Sequence, residues 1–272
     1  MNFAHFPGAA DCHFHIMDEA VPTATYAAVR NMTATVEQYR AFALERGTTR
    51  GVIVQPSLYG TDNGHTLDAV AALGSGYRAV VVVDDRVTPE ALREMHARGA
   101  RGVRFNQVQA GATTMEMMPA VARAIADLGW HIQLHMKASE IARHAAMLAD
   151  LPVPLVVDHC GRVAPGDPAR DGLDALLRLL GGGRSWVKLS APYLNTVTGS
   201  SPLYADAVMV GRAIAAENED RVVWGSDWPH VTEADDPPLP RPLAEFIVGC
   251  LDGNEARLRK TLVANPAALY GF

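Results

Sequence analysis

Eight apolar runs, each followed by a helical pattern, constrain the fold of this chain more than any other feature. The runs are residues 11–16, 51–57, 77–83, 101–106, 130–136, 153–159, 185–190 and 221–227. Eight strand–helix units in 272 residues predict an α/β fold, a single (β/α)8 TIM barrel that occupies residues 1–272 as one domain. A doubly wound open sheet is the alternative, but no Gly-x-Gly-x-x-Gly follows the first run, so a dinucleotide-binding fold loses its main support.

Capping residues indicate where several predicted helices begin and end. Thr35 followed by Gln38 predicts a capping box, and that helix is expected to end at Gly47. Ser139 and Asn254 are predicted to be the N-caps of two later helices.

Composition excludes several classes of protein. The net charge of −6 provides no basic surface for nucleic acid. No apolar run approaches the ~20 residues that span a bilayer, and the N-terminus lacks the pattern of a secretory signal. Three cysteines argue against a disulfide framework. We therefore predict a cytoplasmic protein that acts on a small molecule, without nucleic acid or membrane as partner; a homo-oligomer is left open.

A His-x-His motif ends the first apolar run. Alternate side chains of a strand share a face, so His13 and His15 are expected to point the same way. Two imidazoles on one face form half of a metal site or an electrophilic pocket. A pair of surface histidines has the same spacing, so the other strand ends must decide between these interpretations.

Polar side chains follow the other predicted strands at the same end, mostly with a period of two. In a (β/α)8 barrel the reactive groups lie at the C-terminal strand ends, so we expect these side chains to converge at the mouth. They are Gln55, Ser57, Arg104, Asn106, Gln133, His135, His159, Arg162, Lys188, Ser190, Asp227 and His230. His131, near the start of its strand, is expected to be a core histidine. Buried polar groups without partners are costly. A polar set of this size therefore predicts a functional site.

At these residues the chain resembles the amidohydrolase superfamily. That superfamily has a His-x-His after strand one, a histidine after strands five and six, and an aspartate after strand eight. Longer motifs resemble its 2-pyrone-4,6-dicarboxylate lactonase branch: Gln55-Pro56-Ser57-Leu58-Tyr59, Gly102-Val103-Arg104-Phe105-Asn106, Asp158-His159-Cys160-Gly161-Arg162, Lys188-Leu189-Ser190 and Trp224-Gly225-Ser226-Asp227-Trp228-Pro229-His230. The resemblance covers nearly the whole chain and implies lactone hydrolysis in aromatic or sugar-acid catabolism.

Chemistry assigns roles to the matching residues. A carboxylate with an ordinary pKa of ~3.9 is ionised at neutral pH, so Asp227 is the candidate general base that activates water. His13, His15 and His159, or a metal that they hold, are the candidates to polarise the lactone carbonyl.

Substrate recognition is predicted to depend on arginines, because the guanidinium group binds a carboxylate bidentately. Arg104 and Arg162 are the candidates. The resemblance implies two further arginines in the pyrone branch, near Ala110 and Leu194, which this chain lacks. A lactone with one carboxylate, or a sugar-acid lactone, is therefore expected. The other substrate-binding candidates are Gln55, Ser57, Asn106, Tyr193 and His230.

His135 leaves the cofactor open between two interpretations. The pyrone branch is similar to other amidohydrolases but works without metal, and the resemblance implies a tyrosine at this position. A histidine restores the metal-binding set of the superfamily, and imidazoles with a carboxylate suit one Zn or Mn ion. The candidate ligands are His13, His15, His135, His159 and Asp227. A second ion is not expected, because Arg104 stands where binuclear members carry a carbamylated lysine.

Three other functions remain as alternatives. A metal-dependent decarboxylase of the same superfamily would release carbon dioxide, and a sugar-acid lactone isomerase would move an acyl group between hydroxyls without taking up water. A non-catalytic binding barrel would not need the acid–base set. Residues 108–118, which follow a site strand and lack helix signals, are predicted to form a lid.

Overall fold

Eight parallel strands form one sheet in chain order, in a computed structural model that describes residues 2–27, 30–109, 111–165, 170–201 and 203–272. The strands are β1 Ala10–Phe14, β2 Arg50–Val54, β3 Tyr77–Val81, β4 Ala100–Asn106, β5 His131–His135, β6 Leu155–Val157, β7 Ser185–Leu189 and β8 Val222–Trp224. Each predicted apolar run overlaps one strand. The prediction of a (β/α)8 barrel is confirmed.

A helix follows each strand. The helices are α1 Val36–Arg46, α2 Gly64–Leu73, α3 Pro89–Ala97, α4 Met118–Ile125, α5 Ala138–Ala149, α6 Arg170–Gly181, α7 Ala205–Glu217 and α8 Pro240–Cys250, with α9 Glu255–Arg259 and α10 Asn265–Tyr270 after them. Within the described residues, no helix has the length and the apolar character needed to cross a membrane.

The capping predictions are confirmed at two of three positions. The Thr35 side chain accepts a hydrogen bond from the backbone N–H of Gln38, and the Gln38 side chain accepts one from Thr35, as a capping box requires. Asn254 caps α9. The prediction at Ser139 is wrong: α5 begins at Ala138 with extended Lys137 as its N-cap, so Ser139 lies in the first turn.

Apolar side chains fill the barrel interior below the mouth. This cluster consists of Ala10, Cys12, Val52, Val54, Val80, Val156, Trp186, Val223 and Tyr270. Tyr270 comes from the C-terminal helix α10, and its ring centroid lies 5.4 Å from that of His131 at the base of β5. His131 is buried, as predicted for a core histidine. The base of the barrel is therefore filled mainly by apolar side chains. The predicted site residues lie at the opposite end.

The residues that follow β1 and β8 close the seam between these two strands. The backbone N–H of Asp227 donates to the carbonyl of His13 at 2.8 Å, and the N–H of His15 donates to the carbonyl of Trp228 at 2.8 Å. The seam therefore fixes the backbone of Asp227 directly against the His-x-His motif.

Candidate active site

Three imidazoles point at one oxygen of Asp227. The Oδ1 atom of Asp227 lies 3.4 Å from Nε2 of His13, 3.7 Å from Nε2 of His15 and 3.8 Å from Nε2 of His159. All four side chains are almost completely buried. The structure thus brings together the four residues predicted to be catalytic.

Hydrogen bonds hold two of these imidazoles from behind. Nδ1 of His15 lies 2.8 Å from the carbonyl oxygen of Val54, which can only accept. His15 therefore carries a proton on Nδ1, and in its neutral form presents the Nε2 lone pair to Asp227. Nδ1 of His159 lies 2.8 Å from Oγ of Ser190, a hydroxyl that can donate or accept.

Polar groups of the protein lie beside both carboxylate oxygens of Asp227. The Tyr193 hydroxyl donates a hydrogen bond to Oδ2 and lies 3.3 Å from Nδ1 of His230. Burial alone would raise the pKa of Asp227, but the surrounding imidazoles, His159 foremost, hold it well below its ordinary value. The general base predicted at this position is therefore ionised.

Left-handed backbone conformations concentrate at this site. Positive φ angles occur at His159, Cys160 and Arg162 (52° each), at Asp227 (61°) and at His230 (67°). Such conformations cost a non-glycine residue about 1–3 kcal/mol and persist only where the surroundings impose them, typically at functional sites. They turn the chain sharply after β6 and β8, where the predicted catalytic residues lie.

A buried polar layer lies directly beneath the imidazoles. Asp158 Oδ1 is 3.3 Å from Nδ1 of His13 and 3.5 Å from Nζ of Lys188. Its Oδ2 accepts from Nε2 of Gln133 at 3.1 Å and lies 3.4 Å from Nε of Arg104. The motifs predicted no role for Asp158. Asp158 and Lys188 lie inside predicted apolar runs of the sequence. Because charged groups are almost never buried unpaired, this placement could have indicated the layer.

A cavity of about 500 Å³, partly open to solvent, lies above these groups, and its polar lining residues fall into two chemical groups, which we call walls. One, the histidine–aspartate wall, is formed by His15, His159 and Asp227. The other, the arginine–amide wall, is formed by Ser57, Arg104, Asn106, Gln109 and His135. Thr232 and the apolar residues Pro56, Leu58, Leu194 and Val231 complete the lining. A lining that combines apolar side chains with a few polar groups is typical of small-molecule sites.

His135 lies at the end of β5, with its ring centroid 5.0 Å from that of His159, and is grouped with the arginine–amide wall. It is only 4% exposed, and neither ring nitrogen has a hydrogen-bond partner among the described residues. Burial holds the pKa of His135 well below its ordinary value, so the ring is neutral. Among the described residues, the groups that could hold a metal ion are His13 with His15 and Asp227, and His13 with Asp158 and His159. Metal ligation by His135 stays a prediction.

The other predicted substrate-binding residues have different surroundings. Nδ2 of Asn106 donates to Oγ of Ser57 at 2.7 Å, and both residues line the cavity. The Gln55 amide donates to the carbonyl of Asp62 at 2.7 Å and accepts from Thr66, which ties up the loop after β2. The substrate contacts predicted for Gln55 stay a prediction.

Arg162, Tyr193 and His230 are not among the described residues that line this cavity. Arg162 is half-buried beside Asp227, whose charge opposes the lowering of its pKa by burial. His230 lines a second cavity of about 440 Å³ behind β7 and β8, together with Ser190. The substrate contacts predicted for these three residues stay predictions.

Leu194 and Ala110 occupy the positions where the pyrone branch is expected to carry further arginines. Leu194 lines the cavity as an apolar side chain, and Ala110 lies outside the described residues. The lid predicted for residues 108–118 includes that position. Beside it, Gln109 lines the cavity, and Nε2 of Gln107 donates to the carbonyl of Thr113 at 3.0 Å.

Asp11 joins β1 to the segment that follows β8, below the imidazoles. Its carboxylate accepts hydrogen bonds from the backbone N–H of Ser226 at 2.8 Å, the Ser226 hydroxyl at 2.5 Å and the backbone N–H of His13 at 3.2 Å. Burial raises the pKa of Asp11 to about 6. The motifs predicted no role for this residue, which fixes the segment before Asp227 against β1.

Comparison with known proteins confirms the resemblance predicted from the motifs. The profile of the amidohydrolase family matches residues 10–272. The chain is 33% identical to 4-sulfomuconolactone hydrolase from Hydrogenophaga intermedia, over 100% of this chain and 91% of that protein. It is 32% identical to 2-pyrone-4,6-dicarboxylate hydrolase from Comamonas testosteroni, over 97% and 90% of the two chains. It is 33% identical to D-galactarolactone isomerase from Agrobacterium fabrum, over 86% and 80%.

Proposed function

The chain belongs to the amidohydrolase family, and we propose that it opens the ring of a small lactone by adding water across the C–O ester bond. The observation that carries the proposal is the convergence of three imidazoles on Oδ1 of Asp227 at one wall of the cavity. Relatives named as hydrolases of 4-sulfomuconolactone and 2-pyrone-4,6-dicarboxylate support a lactone as the substrate class.

Asp227 acts in this proposal as the general base. Its depressed pKa keeps it ionised, and the hydrogen bond from Tyr193 to Oδ2 leaves Oδ1 facing the imidazoles and the cavity. A water molecule loses a proton to this carboxylate as its oxygen attacks the carbonyl carbon. When the acyl C–O bond breaks, the same proton is returned to the departing ring oxygen. The products are a carboxylic acid and a hydroxyl on one open chain. At neutral pH the carboxylic acid then releases its proton to the solvent and becomes a carboxylate.

His159 is the imidazole best placed to donate a hydrogen bond to the lactone carbonyl. Its Nδ1 faces the Ser190 hydroxyl, which can donate, so the imidazole proton can lie on Nε2 and face the cavity. Nδ1 of His15 faces a carbonyl and requires the opposite tautomer. Burial lowers the pKa of His159, so the ring donates as neutral imidazole. This arrangement stabilises the developing oxyanion without any metal.

The same residues fit one divalent ion, Zn or Mn. Nε2 of His13 is buried and has no hydrogen-bond partner among the described residues, and His15 presents a lone pair to the same place. One ligand atom each of His13, His15 and Asp227 lies within 4.8 Å of the others. Imidazole nitrogens with a carboxylate oxygen are a typical donor set for these ions. A bound ion would polarise the carbonyl and lower the pKa of a coordinated water.

The arginine–amide wall favours a lactone with a single carboxylate or several hydroxyl groups. Arg104 supplies one guanidinium, while Asn106 and Ser57 supply an amide and a hydroxyl suited to hydroxyl groups. Leu194 lines the cavity where the pyrone branch is expected to carry another arginine. A substrate with two carboxylates would leave one of them against an apolar side chain.

A lactone isomerase is the second candidate, because one relative is named D-galactarolactone isomerase. In that reaction a substrate hydroxyl takes the place of water, and Asp227 would accept its proton. The site residues and their geometry would be the same.

Acid release from a panel of lactones tests the proposal. The panel contains pyrone dicarboxylate, muconolactones and aldonic or aldaric acid lactones, each assayed with chelator and with added Zn or Mn. We expect acid from one lactone class, and release about 10³-fold slower with Asp227→Asn. Loss of activity in chelator, restored by one ion, would assign the cofactor. A rearranged lactone without acid release would support the isomerase, and carbon dioxide release would replace both candidates with a decarboxylase.

A further inference from the structure

We propose that Asp158 is a positioning residue that couples the two sides of the site, holding the imidazole of His13 through one carboxylate oxygen and the guanidinium of Arg104 through the other. Asp158 lies beneath the cavity and is not expected to touch substrate. The catalytic importance of the His13 half rests on the proposed function. The Arg104 half concerns the binding of a carboxylate and can be tested without any turnover.

The geometry divides the two oxygens of Asp158 between the two sides. Oδ1 lies 3.3 Å from Nδ1 of His13, and Oδ2 lies 3.4 Å from Nε of Arg104. The backbone N–H of Asp158 donates to the carbonyl of Leu134 at 2.9 Å, which fixes the residue at the end of β6. Because Asp158 engages Nε, the terminal nitrogens of Arg104 keep donors for a ligand carboxylate; Nη1 comes no closer than 3.5 Å to the Gln55 carbonyl.

A neighbouring ammonium and a neighbouring imidazole keep Asp158 charged. Lys188 Nζ lies 3.5 Å from Oδ1 and donates to Oε1 of Gln133 at 2.7 Å, while Nε2 of Gln133 donates to Oδ2 of Asp158. Burial would raise the pKa of Asp158, but His13 and Lys188 hold it well below its ordinary value. A buried ion cluster is weak evidence for stability, because well-packed apolar residues often serve as well or better. A positioning role explains why charges lie here.

Asp158 also selects the tautomer of His13. Nδ1 of His13 has two polar neighbours, Oδ1 of Asp158 and Nζ of Lys188, each at 3.3 Å. The contact with Lys188 has hydrogen-bond geometry, whereas Oδ1 of Asp158 is buried without a hydrogen-bond partner among the described residues. The carboxylate can only accept and the ammonium can only donate. A proton on Nδ1 would supply the donor that Oδ1 of Asp158 lacks and would leave the Nε2 lone pair facing Asp227. Without the carboxylate charge, donation from Lys188 to Nδ1 would move the imidazole proton to Nε2.

A double-mutant cycle tests the coupling to Arg104. Binding of tetrahydrofuran-2-carboxylate, a ring acid that cannot be hydrolysed, is measured by calorimetry in wild type, Asp158→Asn, Arg104→Met and the double variant. We expect Asp158→Asn to weaken binding about tenfold when Arg104 is present, and by less than about twofold when it is absent. Asp11→Asn is the matched control, because it also replaces a buried carboxylate, and its effect should add to that of Arg104→Met.

Nitrogen-15 NMR of the imidazoles tests the coupling to His13. In wild type we expect Nε2 of His13 to be unprotonated, and in Asp158→Asn to carry the proton. The wild-type spectrum alone decides this half if Asp158→Asn does not fold: a proton already on Nε2 of His13 would overturn it.

The remaining outcomes separate this inference from the proposed function. Equal weakening by Asp158→Asn in both arginine backgrounds would indicate a merely structural role and overturn the coupling. A wild type that does not bind the ring acid would also overturn it. A wild type that shows the coupling and the expected tautomer but hydrolyses no lactone would remove the proposed function and support the inference.

Discussion

The two polar walls of the cavity differ in how their side chains are held. In the histidine–aspartate wall, His15, His159 and Asp227 each have a hydrogen bond to another group of the protein that fixes their orientation. In the arginine–amide wall, Asn106 donates to Ser57 at 2.7 Å, but His135 and Arg104 are held less firmly. His135 has no hydrogen-bond partner in the part of the chain that the structure describes, and the contacts of Arg104 are 3.4 and 3.5 Å long. Both are longer than a usual N–H···O bond.

This difference indicates that one wall carries out the chemistry and the other binds the substrate. Groups that perform chemistry act most effectively when their orientation is fixed before the substrate arrives. Buried donors left without a partner are costly, and a ligand with matching groups removes that cost. The first wall is therefore expected to control kcat and the second to control KM.

Asp227→Asn should have the largest effect on turnover. The substitution keeps the shape of the side chain but removes the general base, so kcat should fall about 10³-fold, while KM changes by less than about threefold. Steady-state kinetics on the lactone identified by the acid-release panel would measure both. Retention of full turnover would contradict the role of the histidine–aspartate wall.

Arg104→Met should come next and should act on KM. Loss of a charge-assisted hydrogen bond to a substrate carboxylate is expected to raise KM about 10- to 100-fold, with little change in kcat. The control is a neutral lactone with the same ring, for which KM should not change. An equal rise in KM for both lactones would show that the arginine–amide wall does not recognise the carboxylate.

Tyr193→Phe should have a smaller effect on the first wall. It removes the hydrogen bond to Oδ2 of Asp227, so kcat at neutral pH should fall about tenfold. A donor to the carboxylate favours its charged form, so its loss should raise the pKa of Asp227. The acid limb of the kcat–pH profile should therefore move to higher pH. An unchanged profile would mean that the hydroxyl does not act through Asp227.

His131→Met should have the smallest effect on activity, because this histidine lies at the base and belongs to neither wall. Burial lowers the pKa of His131 to about 3, from an ordinary value of 6.5. Below pH 6.5 the unfolded chain takes up a proton here that the folded chain does not. From about pH 5.5 down to about pH 4, the free energy of unfolding should therefore fall by about 1.4 kcal/mol for each pH unit of acidification from this residue alone. Urea denaturation over this range measures the free energy of unfolding against pH, and the slope of that plot should be smaller by about one proton in the variant.

The period of two along the strands made much of the site predictable. His13 with His15, and Arg104 with Asn106, share strand faces, so their sequence spacing was enough to place them at the mouth. Asp158 could not be placed in this way, because its contacts depend on how neighbouring strands are staggered around the barrel.

Parity gives less guidance where a strand has already ended. Gln55 lies just after β2, and its amide donates a hydrogen bond within the following loop. Arg162 follows β6 by a left-handed turn that sequence spacing does not reveal, and its contact with substrate stays a prediction.

The central claim is that this site adds water to a lactone carbonyl. Running the reaction in water enriched in oxygen-18 and locating the label by mass spectrometry and NMR tests it most directly. The account predicts one labelled oxygen, in the carboxylate of the ring-opened acid. A rearranged lactone without label, or label in the hydroxyl of the product, would contradict it.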